Sequence, residues 1–149
     1  MRVIIQRVSQ SAVVIENITH SSIQRGLLIL IGITLEDTHE DILWLTQKIL
    51  NLRIFNDEKG KMNLSIQDIC GELLIVSQFT LFASTKKGNR PSFVNSASPE
   101  IAIPLYNDFV STLKRSNLIV NTGIFGADMK VSLVNDGPVT ICLDSKNKE

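Results

Sequence analysis

The chain has 149 residues, 44% hydrophobic and 20% charged, which suits one folded domain (1–149) with a real core and excludes a disordered segment. Fifteen basic and fifteen acidic side chains leave no formal net charge, which argues against a strongly basic nucleic-acid surface but leaves room for a local basic patch. Cys70 and Cys142 follow no metal-ligand spacing and lie among apolar residues, so buried free thiols in a reducing compartment are expected.

Met1 to Ile5 gives way to polar Gln6-Arg7 too early for a secretory signal, and no apolar run approaches membrane-spanning length. A cytoplasmic protein with no membrane partner is expected. Residues 2–8 read as a strand. Val3, Ile5 and Arg7 share one face, and Ile4, Gln6 and Val8 the other. Arg7 is thus a lone charge on an apolar face and needs a specific partner if that face is covered. Ala12 to Ile15 and Ile18 to Ile23 read as short strands about a hairpin at Glu16-Asn17. The run Leu27 to Ile33 is apolar on both faces, as in a central strand covered on two sides.

A helix follows, with Thr38 as N-cap and Glu40 and Asp41 in its first turn. Ile42, Leu45, Ile49 and Leu52 recur at helical spacing, and Trp44 flanks them. Ile54-Phe55 and Met62 to Leu64 bracket a polar hairpin loop, and residues 65–70 make one helical turn. Leu73 to Val76 is a short apolar run that reads as a buried strand. Residues 83–98 form a long loop carrying Lys86, Lys87 and Arg90 and no acid. Ser98-Pro99-Glu100 starts a second helix, with Leu105, Phe109 and Leu113 on one face. Pro104 falls beyond its first turn and should bend it or delay its start. Leu118 to Val120 reads as a strand, Gly123 to Gly126 as a turn, residues 129–134 as a strand with one wetter face, and Val139 to Leu143 as the last strand, before a polar tail from Ser145 to Glu149. Two helices among many strands joined by short turns predict an α+β fold with a largely antiparallel sheet.

The apolar run at Leu73 ends abruptly in Ser77-Gln78-Phe79-Thr80. Polar groups buried there without partners would cost roughly 1–3 kcal/mol each, so they are satisfied at a sheet edge or face a pocket. Taken alone, these side chains suit capping of neighbouring backbone, Lys86, Lys87 and Arg90 suit a solvated loop, and Gly137-Pro138 suits a tight turn between strands. His20 and His39 read as surface residues, so a Ser-His-Asp triad is not expected. Asp128, Asp136 and Asp144 are too scattered for a carboxylate dyad. Neither a Cys/His cluster nor a Gly-rich phosphate loop is present, and no metal or cofactor is expected.

In combination these stretches say more. Ser77-Gln78-Phe79-Thr80-Leu81, then Lys86-Lys87-Gly88-Asn89-Arg90-Pro91-Ser92-Phe93, then Gly123 to Met129, then Asn135-Asp136-Gly137-Pro138-Val139-Thr140 closely resemble the D-aminoacyl-tRNA deacylases, the D-tyrosyl-tRNA deacylase family. Gln6-Arg7-Val8 and Lys48 to Phe55 match as well, so the resemblance spans the chain up to its tail. It implies a three-layer α/β/β fold with a barrel-like sheet, a homodimer, and hydrolysis of the ester joining a D-amino acid to the acceptor 3′ end of tRNA, with glycyl-tRNA as a possible second substrate. It also implies that Ser77, Gln78, Phe79 and Thr80 form the catalytic wall. Gly137 and Pro138, joined by a cis bond, would read chirality across the dimer interface, braced by Arg7. Phe125 and Met129 would lie near the terminal adenosine.

The chemistry is compatible. An acyl–ribose ester is activated, and backbone N–H groups at Phe79 and Thr80 are suited to hold a developing oxyanion while water attacks, helped by the ribose 2′-hydroxyl. For Lys86, Lys87 and Arg90 the functional reading is contact with tRNA phosphates. A small-acyl hydrolase using Thr80 as nucleophile, and a non-catalytic dimer that binds tRNA ends, are the two alternatives the sequence leaves open.

Overall fold

The computed structural model describes residues 1–148; Glu149, the end of the predicted tail, lies outside the described residues. Its organising strand is β1 (Arg2–Ile15), which pairs antiparallel with β2 (Ile18–Ile23), β3 (Gly26–Gly32) and β8 (Lys130–Asp144). The two strands expected at 2–8 and 12–15 are therefore one. The turn into β2 is the expected hairpin, with Glu16 and Asn17 both at positive φ. β3 continues the sheet in parallel to β6 (Glu72–Ser77), and β6 pairs in parallel with β7 (Val120–Thr122). The sheet is thus mixed, antiparallel around β1 and parallel beyond β3. β7 begins at Val120, later than the expected span from Leu118, because its register is set by pairing with Leu73.

The sheet curls towards a barrel. Its far strands approach through side chains: Ser21 Oγ donates to the Thr122 carbonyl and Asn121 Nδ2 to the Ser22 carbonyl, each at 2.8 Å. A separate hairpin, β4 (Phe55–Asn56) and β5 (Met62–Leu64), follows the first helix.

Alternation along β3 and β6 divides the core in two. Leu27, Ile29, Ile31, Leu73 and Ile75 face helices α1 (His39–Asn51) and α2 (Pro99–Lys114), against Ile42, Leu45, Ile49, Phe109 and Leu113. Leu28, Leu74 and Val76 face the other way and pack with Val8, Val13 and Ile23, under Val131 and Leu133 of β8. Helices on one face and the folded-over ends of β1 and β8 on the other make the three-layer α/β/β arrangement. Gly26 is required where β3 meets β6, since a Cβ there would lie 1.8 Å from the Glu72 carbonyl oxygen.

The Thr38 N–H donates to the Asp41 carboxylate at 2.8 Å, closing the start of α1. Burial pushes the Asp41 carboxyl up, but hydrogen bonds from Lys146, Ser145 and Thr38 outweigh it and hold the group well below the usual carboxylate range. Helix α2 runs unbroken from Pro99 through Pro104, so its start is not delayed. Pro104 sits on the exposed side.

Both thiols are free, as expected, but exposed instead of buried. Cys70 occupies a turn at φ +49, and Cys142 takes an outward position on β8, while their neighbours Ile69 and Ile141 pack against the core. Among the described residues, no helix is long and apolar enough to cross a membrane.

Candidate functional site

Strand β6 stops at Ser77, one residue into the polar stretch that the sequence singles out. The Gln78 N–H donates to the Ile31 carbonyl at 2.7 Å, and the chain then tightens into a 3-10 turn, Phe79–Phe82. The first N–H bonded within that turn is Leu81, to the Gln78 carbonyl at 3.2 Å. The N–H groups of Phe79 and Thr80 precede it and have no partner inside the turn, as at any helical N-terminus.

This turn opens on a cavity of about 580 Å3. Ser77, Gln78 and Phe79 line it together with Phe125 and Met129, so sequence-distant predicted residues meet here. The rest of the lining is mostly apolar, and Asp128 is its one charged residue among the described residues. Phe93 also lines it, edge-on to Phe79 with ring centroids 5.0 Å apart. Ser96 supports the same turn, its hydroxyl donating to the Phe79 carbonyl at 2.8 Å. Phe93 and Asp128 fall within the stretches that carry the family resemblance but receive no role there, and Ser96 is not singled out by sequence reasoning. Phe93-Val94 within a polar loop is the signal that points to the first of them.

Thr80 is exposed and does not line the cavity. Its hydroxyl accepts a hydrogen bond from Gln78 Nε2, and no histidine or carboxylate bonds to it among the described residues. Lys86, Lys87 and Arg90 are exposed and also stay outside. They lie in the segment that the Ser84–Ser92 bridge closes, between the Phe79 turn and Phe93.

Arg7, Gly137 and Pro138 form a second cluster, away from that cavity in the same chain. The strands expected at 129–134 and 139–143 are one continuous β8, and Gly137-Pro138 is an excursion within it instead of a turn between strands. Val8 pairs with Asn135 and Gln6 with Thr140, so residues 136–139 stand opposite Arg7 alone. Their base is pinned by Asn135, whose Oδ1 accepts from the Val139 N–H at 2.8 Å and whose Nδ2 donates to Thr140 Oγ1 at 3.0 Å. The Gly137–Pro138 bond is cis, and Gly137 has φ +133. Arg7 is 6% exposed and has the specific partners its position demands. Its Nε donates to the Asp136 carbonyl at 2.8 Å and its Nη1 to the Ile54 carbonyl at 2.5 Å, while the Asp136 carboxylate lies 3.6 Å from Nε. Asp136, Gly137 and Pro138 are themselves exposed. The chain therefore carries two separate features: the Phe79–Phe82 turn beside the cavity, and a braced Gly137-Pro138 tip that faces solvent.

The histidines take no part in either. His20 is exposed, and His39 Nδ1 meets Asp108 Oδ2 at 2.6 Å on the surface, between the two helices.

Comparison with known proteins covers both stretches. The family described as D-Tyr-tRNA(Tyr) deacylase matches residues 4–144. The chain is 63% identical to a D-aminoacyl-tRNA deacylase of Flavobacterium psychrophilum and 59% identical to one of Bacteroides thetaiotaomicron, each over the full length of both chains. Among solved structures it resembles the c-Myc DNA Unwinding Element Binding Protein, at 43% identity and a TM-score of 0.90 over 97% of this chain and 98% of that one. A probable eukaryotic D-amino acid tRNA deacylase, 18% identical, shares the fold with a TM-score of 0.81 over 95% of this chain and 97% of that one.

Proposed function

The chain belongs to the D-aminoacyl-tRNA deacylase family, and from that premise we propose how it hydrolyses the ester joining a D-amino acid to tRNA. The observation that carries the proposal is the 3-10 turn, within which the N–H groups of Phe79 and Thr80 have no partner, beside a cavity lined, among the described residues, by no histidine and by the single carboxylate of Asp128.

The aminoacyl-adenosine end enters the cavity, against Phe125 and Met129. Asp128 disfavours phosphate there, so the phosphates stay outside, where Lys86, Lys87 and Arg90 neutralise them. The ester carbonyl lies over the turn, and the N–H groups of Phe79 and Thr80 take up its developing negative charge. Water attacks, oriented by the substrate's own 2′-hydroxyl. The tetrahedral intermediate expels the ribose oxygen, which takes up a proton, leaving free D-amino acid and tRNA. The alkoxide leaving group of an ester needs less assistance than an amine would, which suits a site without a histidine. The reaction belongs where tRNA is charged, in the cytoplasm.

Chirality is read by a second copy of the chain. The Gly137-Pro138 tip is exposed and outside its own cavity, so a symmetric pair lets each tip close the partner's site. There its carbonyl oxygens accept hydrogen bonds from the substrate ammonium, and an L side chain is excluded by contact with the tip. Glycine has no side chain to exclude, so glycyl-tRNA is also cleaved. Sedimentation at micromolar concentration is expected to give twice the monomer mass; an active monomer would refute this arrangement.

The Thr80 hydroxyl is not the nucleophile in this scheme. It accepts from an amide and has no base to take its proton. Thr80→Ala is expected to keep single-turnover deacylation within about tenfold of wild type, whereas loss of a true nucleophile costs several orders of magnitude. An acyl-enzyme on Thr80 found by mass spectrometry would overturn the scheme.

A further inference from the structure

We propose that Tyr106, on α2 and outside the cavity lining, is a positioning residue that fixes the Phe125–Met129 wall. Strand β7 ends at Thr122, which is in register with Ile75 of β6. The next residue, Gly123, donates its N–H to the Ile75 carbonyl at 3.0 Å. That bond closes the ladder where the chain leaves the sheet to build the wall. The same carbonyl receives the Tyr106 hydroxyl, also at 3.0 Å. Its ring stands edge-on to Phe125, with centroids 5.6 Å apart and planes at 65°.

One side chain therefore grips both ends of a short path. Its hydroxyl holds the departure point, and its ring holds the aromatic residue that lines the cavity. Gly123 also lies close under Met129 of the same wall, where a Cβ would come within 2.4 Å of Sδ. Tyr106 is 5% exposed, and burial raises its phenol to about 12, so the hydroxyl stays protonated and remains a donor through the neutral range. A phenylalanine would fill the same space. What the hydroxyl adds is a second donor on the carbonyl that anchors the wall.

This role rests on the deacylase reading only through its kinetic test. Tyr106→Phe keeps the ring and removes the donor. It is expected to raise KM for D-aminoacyl-tRNA about two- to tenfold, the range of one neutral hydrogen bond, with kcat nearly unchanged. In a Phe125→Ala background the same change is expected to add little, since the wall it positions is already lost. Amide hydrogen exchange over 123–129 is expected to quicken in Tyr106→Phe, with β1 and β3 unchanged. Unchanged exchange over 123–129, or a KM effect fully additive with Phe125→Ala, would overturn the role. A wild type without turnover would sink the deacylase reading instead, and the exchange measurement alone would still decide the role of Tyr106.

Discussion

Gly137→Ala is expected to lower kcat/KM for D-aminoacyl-tRNA by on the order of a hundredfold or more, as displacement of a positioning group by about 1 Å does. Two separate effects combine. At φ +133 an L side chain is rarely tolerated, so the backbone must move. A Cβ would also lie 2.6 Å from Arg7 Nη2 and 2.9 Å from Val139 Cγ2 within the same chain. The tip and its brace cannot both keep their places. Any shift of the tip also moves the carbonyl oxygens that the proposed mechanism sets against the substrate ammonium. The fold should survive, because the excursion is exposed and the core lies elsewhere, with a loss of about 1–3 kcal/mol from the strained position. Single-turnover deacylation beside a thermal melt separates the two losses. Wild-type D-activity in this variant would rule out the tip as a precise reader.

Arg7→Met is expected to destabilise the protein by about 2–4 kcal/mol, the scale of one to two charge-assisted hydrogen bonds whose acceptors are left behind. The Ile54 and Asp136 carbonyls lose their partner, and only a flexible thioether replaces it. Activity should fall further than stability explains, because residues 136–139 have no other partner on β1. Arg7→Lys is expected to recover little, since one ammonium cannot reproduce a fork between two carbonyls. Urea denaturation and deacylation on the same samples check this. A folded Arg7→Met protein with full activity would show that the tip holds itself.

Much of this was legible in the sequence for identifiable reasons. Leu27 to Ile33 is apolar on both faces because β3 is covered by helices on one side and by β8 on the other. Arg7 stood out because strand alternation put it among valine and isoleucine, and it is indeed buried and paired. Other features depend on long-range pairing and leave little local trace. Residues 129–134 and 139–143 look like two strands because Asp136-Gly137-Pro138 is turn chemistry; only the continuous partner, β1, makes them one. Cys70 and Cys142 sit beside isoleucines, which take the inward positions and leave the thiols outside. The contacts of Phe93 with Phe79 and of Tyr106 with Ile75 join segments far apart in the chain, and no periodicity announces them.

The central claim is that the chain hydrolyses D-aminoacyl esters of tRNA and rejects L-aminoacyl ones through a tip that excludes the side chain. Parallel single-turnover assays on D-tyrosyl-, L-tyrosyl- and glycyl-tRNA test it most directly. The expected result is rapid cleavage of the D-ester, cleavage of the glycyl ester, and an L-tyrosyl rate no faster than spontaneous hydrolysis. Equal turnover of D- and L-tyrosyl-tRNA would contradict it.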